Sequence, residues 1–217
     1  MTANLLTLNT SKTEFRLIGL KQQLAKIQNC TLNTTHSARN LGFIFDEHLT
    51  FSDKISALSK SCYSHIRELR CIRPYLDFNI ANTIVTSIVH SKRDYCNSLY
   101  YNNLPYSQLN RLQQIQNCIA RAVFKAPKFT HTTPILKSLH WLKINQRIEY
   151  KIILHNKVLT AVKPGYLPNL ISVDSPHIET RSSSSVTLSR PSSSSSLKIT
   201  DRSFRYASLC FWNKLPA

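Results

Sequence analysis

Asp46 and Glu47 are the one adjacent pair of carboxylates in the chain. Neighbouring acids could help hold the divalent ions of phosphoryl transfer, but that chemistry needs carboxylates converging on ions about 3.5–4 Å apart. No second acidic cluster is visible, so a solvated turn is the favoured reading of the pair. His65 lies between apolar neighbours of a helical pattern, and His140-Trp141-Leu142 is a distinctive run. Packing and aromatic anchoring account for both without a ligand role. Gly19, Gly42 and Gly165 are the only glycines, too few for a phosphate-cradling loop, and no Gly-x-Ser-x-Gly elbow occurs. Cys30, Cys62, Cys71, Cys96, Cys118 and Cys210 are spread without a Cys-x-x-Cys or zinc spacing. Most fall at apolar positions of helical patterns and are expected as buried free thiols in a reducing interior.

The basic residues are the positive finding. Net charge is +17 at pH 7, which favours a polyanionic partner, nucleic acid before an anionic membrane surface. Candidate phosphate-binding positions are Arg39, Lys54, Lys60, Arg67, Arg70, Arg111, Arg121, Lys125, Lys128 and Arg147. Aromatic residues such as Tyr63, Tyr75, Phe124, Phe129 and Trp141 are interleaved with the cations. Phosphate neutralisation with occasional base stacking is therefore coherent, against an ordinary solvated helix surface.

The elements that would position these residues change character along the chain. Thr13 to Ile18 alternates polar and apolar and predicts a short strand; Leu20 to Gln28 could be a short helix, and Cys30 to Leu32 a strand. Asn33 to Ser37 reads as a turn and Leu41 to Phe45 as a strand. From Ser52 the period becomes 3.6, with Ile55, Leu58, Cys62, Ile66 and Leu69 on one face until Pro74 ends the helix. Asp77 or Asn79 can cap a second helix with Ile80, Ile84, Val85, Ile88 and Val89 inward. Pro105 and Ser107 open a third, carrying Leu109, Leu112, Ile115, Ile119 and Val123. A short helix over Ile135 to Leu139 and a fourth long one over Ile144 to Val162 follow, and Lys163-Pro164-Gly165 stops the latter. Residues 181–196 contain ten serines and read as a flexible linker. Phe204 to Leu215 is apolar again and could pack on the helical body. No signal peptide and no membrane-spanning run are present, so the protein is expected to be intracellular, nuclear or cytoplasmic, with no membrane partner.

The ordered set "SKTEFRLIG", "NLGFIFDEHLTF", "RPYL", "RDYCNSLYY", "LQQIQNCIARAV", "HTTPILKSLHWLKINQRIEYKI", "KPGYLPNLI" and "FWNKLP" resembles the C-terminal part of reverse transcriptases from jockey-like non-LTR retrotransposons (LINEs). The resemblance implies a palm remnant over 1–50, a helical thumb-like domain over 51–165 and a C-terminal region over 166–217. The expected fold class is mainly α, with a small N-terminal β/α remnant. It also implies that Leu41, Gly42 and Phe43 belong to a primer grip, where a glycine would let backbone approach nucleic-acid backbone. Lys12 would be the proton donor to the leaving pyrophosphate. Such RNA-directed DNA polymerases use Mg ions held by palm aspartates, the last of them in a Tyr-x-Asp-Asp box.

No such box occurs in the 217 residues. Lys143 and Asn103 stand where the family pattern would have proline and glycine. The expectation is thus a truncated fragment that is no enzyme on its own and binds no cofactor, with residual non-sequence-specific binding of template–primer RNA or DNA. The alternatives are a non-enzymatic protein-interaction module, or the tail of an intact polymerase split by a gene model.

Overall fold

A computed structural model describes residues 35–101, 104–154 and 204–214, with isolated positions between 7 and 26. The predicted strands at 13–18 and 30–32, the helix at 20–28, Lys12, Asn103, the stretch 155–162 and the serine-rich linker lie outside the described residues. The described chain is mainly helical with one small sheet. It divides into two compact units, Met1–Ala57 and Leu58–Ala217.

In the first unit, β1 (Ser37–Asn40) and β2 (Phe43–Asp46) form an antiparallel hairpin, with Ser37 opposite Asp46 and Asn40 opposite Phe43. The predicted turn at Ser37 is thus strand, and the predicted strand at Leu41-Gly42 is the turn. Leu41 has φ 47° and Gly42 φ 77°. Positive φ at both central residues is the geometry that matches the twist of a two-residue hairpin. A Cβ on Gly42 would meet nothing within 4 Å, so left-handed backbone, rather than closeness to a protein neighbour, explains the glycine here.

Phe43 is buried and packs on Phe45 and Phe51, with ring centroids 4.8 and 5.5 Å away. Asp46 organises the loop that follows. Its Oδ1 accepts from the backbone N–H of His48 and Thr50 at 3.2 and 2.7 Å, and its Oδ2 from Phe51 at 2.6 Å.

Helix α1 (Ser52–Ile72) buries all five apolar positions that its 3.6 period predicts. A 3-10 turn over Arg73–Tyr75, with Pro74 inside it, ends the run. Asp77, one of the two predicted caps, takes the Ile80 N–H at 2.7 Å and starts α2 (Phe78–Val85). A π-turn over Thr86–His90 leads into α3 (Ser91–Asp94). Along this run Thr83, Thr86, Ser87 and Ser91 each donate to the carbonyl four residues back, a bond pattern that loosens and bends helices. The buried stripe is Ala81, Val85 and Val89, whereas Ile80 and Ile88 are 49% and 40% exposed. The inward face is therefore rotated from the predicted one.

A second 3-10 turn, Asn97–Tyr100, precedes α4 (Tyr106–Val123), the central helix, which buries Leu112, Ile115, Ile119 and Val123. Then come α5 (Thr132–Ser138), α6 (Ile144–Leu154) and α7 (Phe204–Trp212), which packs on α6. Helix α5 starts three residues before its predicted beginning.

The glutamines of "LQQIQN" have a structural purpose. Gln113 Oε1 takes the Ile144 N–H that opens α6 at 3.0 Å, and buried Gln116 donates to the Leu142 carbonyl at 2.9 Å. Two helices end in Schellman motifs without glycine. Ala126 N–H bonds Arg121 O and Lys125 N–H bonds Ala122 O, at 2.9 and 3.3 Å. Trp141 and His140 repeat the pattern on Leu136 and Lys137, at 2.8 and 3.0 Å. Lys125 and His140 occupy the left-handed position, with φ 53° and 56°, where glycine is usual.

Candidate functional site

The site is built on the outer faces of α1 and α4. On α1, Tyr63, Arg67 and Arg70 recur at i, i+4 and i+7, beside the buried stripe of Cys62, Ile66 and Leu69. On α4, Arg111, Cys118 and Arg121 recur at i, i+7 and i+10, and Lys125 follows just past the helix end. Both spacings place their members on one side of a helix. The two helices run in the same direction: Tyr63 lies within the electrostatic reach of Arg111, and one helical stretch later Arg73 bonds Val123.

Between them lies a cleft of about 530 Å³ lined by Arg70, Arg73, Pro74, Cys118, Arg121, Ala122, Lys125, Ala126 and Lys128. A second trough of about 540 Å³, lined by Tyr63, Ile66, Arg67, Arg70, Cys71 and Cys118, shares Arg70 and Cys118 with it. The two form one furrow. No carboxylate lines either part.

The side chains of the furrow differ in how they are held. Arg73 is buried. Its Nε and Nη2 donate to the Val123 carbonyl at 2.9 and 2.6 Å, and Nη1 donates to Leu76 O at 2.7 Å. A cation there satisfies the orphan carbonyls at the negative end of α4, so Arg73 forms the floor. Arg121 Nε donates to the Thr130 carbonyl at 3.0 Å and ties down the 125–130 loop. Arg67, Arg70, Lys125 and Lys128 are exposed. The Lys128 ammonium stands 5.6 Å from the Phe129 ring centroid. Burial raises the pKa of the Tyr63 hydroxyl, Cys118 and Cys62 add to the rise, and Arg111 opposes it.

The furrow therefore gathers five of the ten candidate cations, Arg67, Arg70, Arg121, Lys125 and Lys128, with Arg111 at its Tyr63 end. The other four lie elsewhere. Arg39 is exposed on β1, and Lys60 is exposed on α1. Lys54 Nζ donates to the Gly42 carbonyl at 3.2 Å and sits 4.9 Å from the Phe43 centroid, so it braces the hairpin. Arg147 is paired with Asp94 through both Nε and Nη2. Of the primer-grip residues, Leu41 is 85% exposed at the hairpin tip, while Phe43 is in the core.

Sequence reasoning named Tyr63 as a candidate stacking ring but did not place Arg73 or Cys118 among the site residues. The signal for Arg73 was its place before Pro74, at a helix end. Among the described cysteines all are free; only Cys62 is buried, Cys71 is exposed and the rest are half-buried. The expectation that most would be buried is thus corrected among the described cysteines, because Cys71 and Cys118 border the open furrow rather than the core.

The described residues do not fit a magnesium site. Among them no three His, Cys, Asp or Glu side chains gather as ligands. Both Asp46 oxygens are already taken by backbone N–H groups. No described helix is long and apolar enough to cross a membrane. No protein-family model, curated protein or solved structure matches the chain.

Proposed function

We propose that the helical unit is a nucleic-acid-binding module, which holds a phosphate backbone in the α1–α4 furrow without sequence preference. The observation that carries the reading is the convergence of Arg67, Arg70, Arg121, Lys125 and Lys128 on one furrow with no carboxylate in its lining. Tyr63 to Arg73 spans roughly 15 Å of helix at 1.5 Å per residue. That matches about four phosphates of one strand at 3.4 Å each. The resemblance to jockey-like reverse transcriptases makes the template–primer of an RNA-directed DNA polymerase the fitting ligand, with this unit as the thumb. With no Tyr-x-Asp-Asp box in the sequence, the proposal is binding without polymerisation. By the same resemblance the exposed Leu41-Gly42 tip is the part of the hairpin that would approach a primer strand.

Fluorescence anisotropy of a labelled RNA/DNA duplex, read between 50 and 200 mM salt, tests this. The expected slope of log K against log salt is about −3 to −4, from about four neutralised phosphates. The triple variant Arg67→Glu, Arg70→Glu, Lys125→Glu should abolish binding. Lys137→Glu, on exposed α5 outside the furrow, should not. A flat salt response would sink the proposal.

A second reading, a protein-interaction module, is favoured by the exposed side chains of Ile72 and Ile88, which line one apolar pocket with Ile84 and Leu69. Isolated apolar side chains are ordinary on a surface, but a contiguous set marks a partner face. A salt-insensitive oligomer in size-exclusion chromatography that ignores duplex would support it.

A further inference from the structure

The furrow has one aromatic ring in its wall, Tyr63, and a second, Phe129, beside the Lys128 that lines it, and their placement bears on which form of nucleic acid enters. Tyr63 stands in the wall of the trough, one turn of α1 before Arg67, with its ring part-exposed. At the other end Phe129 is 91% exposed beside Lys128. The turn that carries Phe129 is fixed by local bonds. Pro127 to Thr130 closes a turn through Thr130 N–H to Pro127 O at 3.1 Å, with Lys128 and Phe129 as its central residues. Arg121 then clamps the turn through the Thr130 carbonyl, and the Schellman bonds at Lys125 and Ala126 fix where the loop leaves α4. A duplex keeps its base faces stacked inside, where a protein ring cannot reach them. An unpaired strand offers every base face, and a row of cations flanked by rings is the arrangement that holds it.

We infer that the furrow takes an unpaired strand, its phosphates on Arg67, Arg70, Lys125 and Lys128 and its bases stacked on Tyr63 and Phe129. The inference rests on the phosphate-binding proposal above and deepens it. The cations bind either form of nucleic acid, whereas the two rings discriminate between them. Sequence preference stays weak, because every base has a face to stack.

The experiment measures anisotropy of the full 217-residue chain with labelled oligo-dT of twelve nucleotides and with a twelve-base-pair hairpin duplex, at one salt concentration. The expected result is binding of the single strand about a hundredfold tighter than the duplex, from two stacked bases. Phe129→Ala and Tyr63→Ala should each weaken oligo-dT by about tenfold and leave the duplex unchanged. Tyr63→Phe and Phe129→Tyr should retain affinity. Phe129 contributes almost nothing to the core, so its alanine variant should melt at the parent temperature, which separates lost stacking from lost folding.

Duplex binding as tight as oligo-dT, with silent ring variants, overturns this inference and leaves phosphate binding standing. Tighter oligo-dT with silent ring variants overturns the stacking. No binding of either form at low salt overturns both proposals, and so does recovery of the chain only on protein or anionic vesicles.

Discussion

Arg147 Nε donates to Asp94 Oδ2 at 2.5 Å, across 53 residues of sequence. Asp94 is a hub for cations. Arg93, 2% exposed, places Nη2 3.6 Å from its other oxygen, Asn97 Nδ2 donates to that oxygen at 3.4 Å, and Lys151 Nζ donates to the Asp94 carbonyl at 2.6 Å. Removing one partner of a buried ion pair strands the other charge in a low-dielectric site. Asp94→Ala should therefore destabilise the protein by about 3–5 kcal/mol in urea unfolding. A loss below about 1 kcal/mol, the worth of an exposed pair, would show that the hub is not load-carrying. Arg147→Ala should lower stability more than it lowers nucleic-acid affinity.

His90 gives the stability a pH dependence. It is buried against Trp141, with ring centroids 4.1 Å apart. Desolvation, helped by the charge of Arg93, lowers its pKa from 6.5 to about 3. The unfolded chain then takes up the proton at higher pH than the folded one, so the contribution is whole above pH 6.5 and is lost as pH falls toward 3. At pH 5 the loss should be about 2 kcal/mol. Trp141 fluorescence during urea unfolding at pH 7.5 and 5.0 reads this, and His90→Phe should flatten the difference. An equal slope in that variant would put the titration elsewhere.

Lys125 sits at a left-handed position that glycine adopts without steric cost. Lys125→Gly should stabilise the fold by about 1 kcal/mol, raising Tm by about 2–4 °C. The same change removes a cation from the furrow and should weaken nucleic-acid binding. A variant that is more stable and equally tight would remove Lys125 from the proposed interface.

Asp46 holds three backbone N–H groups of the loop after β2. Hydrogen bonds to a charged acceptor contribute about 1.5–3 kcal/mol each, net of the exchange with water. Asp46→Ala should speed amide exchange at Thr50 and Phe51 by at least about tenfold while α4 amides keep their protection. Unchanged exchange at those two amides would contradict the anchoring role.

The regular parts of the fold were legible because their signals are local. The stripe from Ile55 to Leu69 on α1 and from Leu112 to Val123 on α4 alternates with polar residues, so only one face can be buried. Helix α2 was less legible, since Ile80, Ile84, Val85, Ile88 and Val89 make an apolar band wider than the surface its neighbours cover. Packing chose Ala81, Val85 and Val89, and left Ile80 and Ile88 outside. The hairpin turn was missed because Leu41-Gly42 lacks the Asn-Gly or Asp-Gly signature of its type.

By itself, then, the sequence determined the helical periods, the caps and breaks at Asp77 and Pro74, and the surplus of positive charge. Those depend on residue type and spacing within one element. The tertiary structure alone decided where each charge went. Lys54 braces a hairpin, Arg73 caps α4 and Arg147 pairs with Asp94, while Arg67, Arg70, Arg121, Lys125 and Lys128 share one furrow. The cations of α1 and α4 that face each other are about fifty residues apart in sequence, and Coulombic attraction acts on distance in space, which only packing sets.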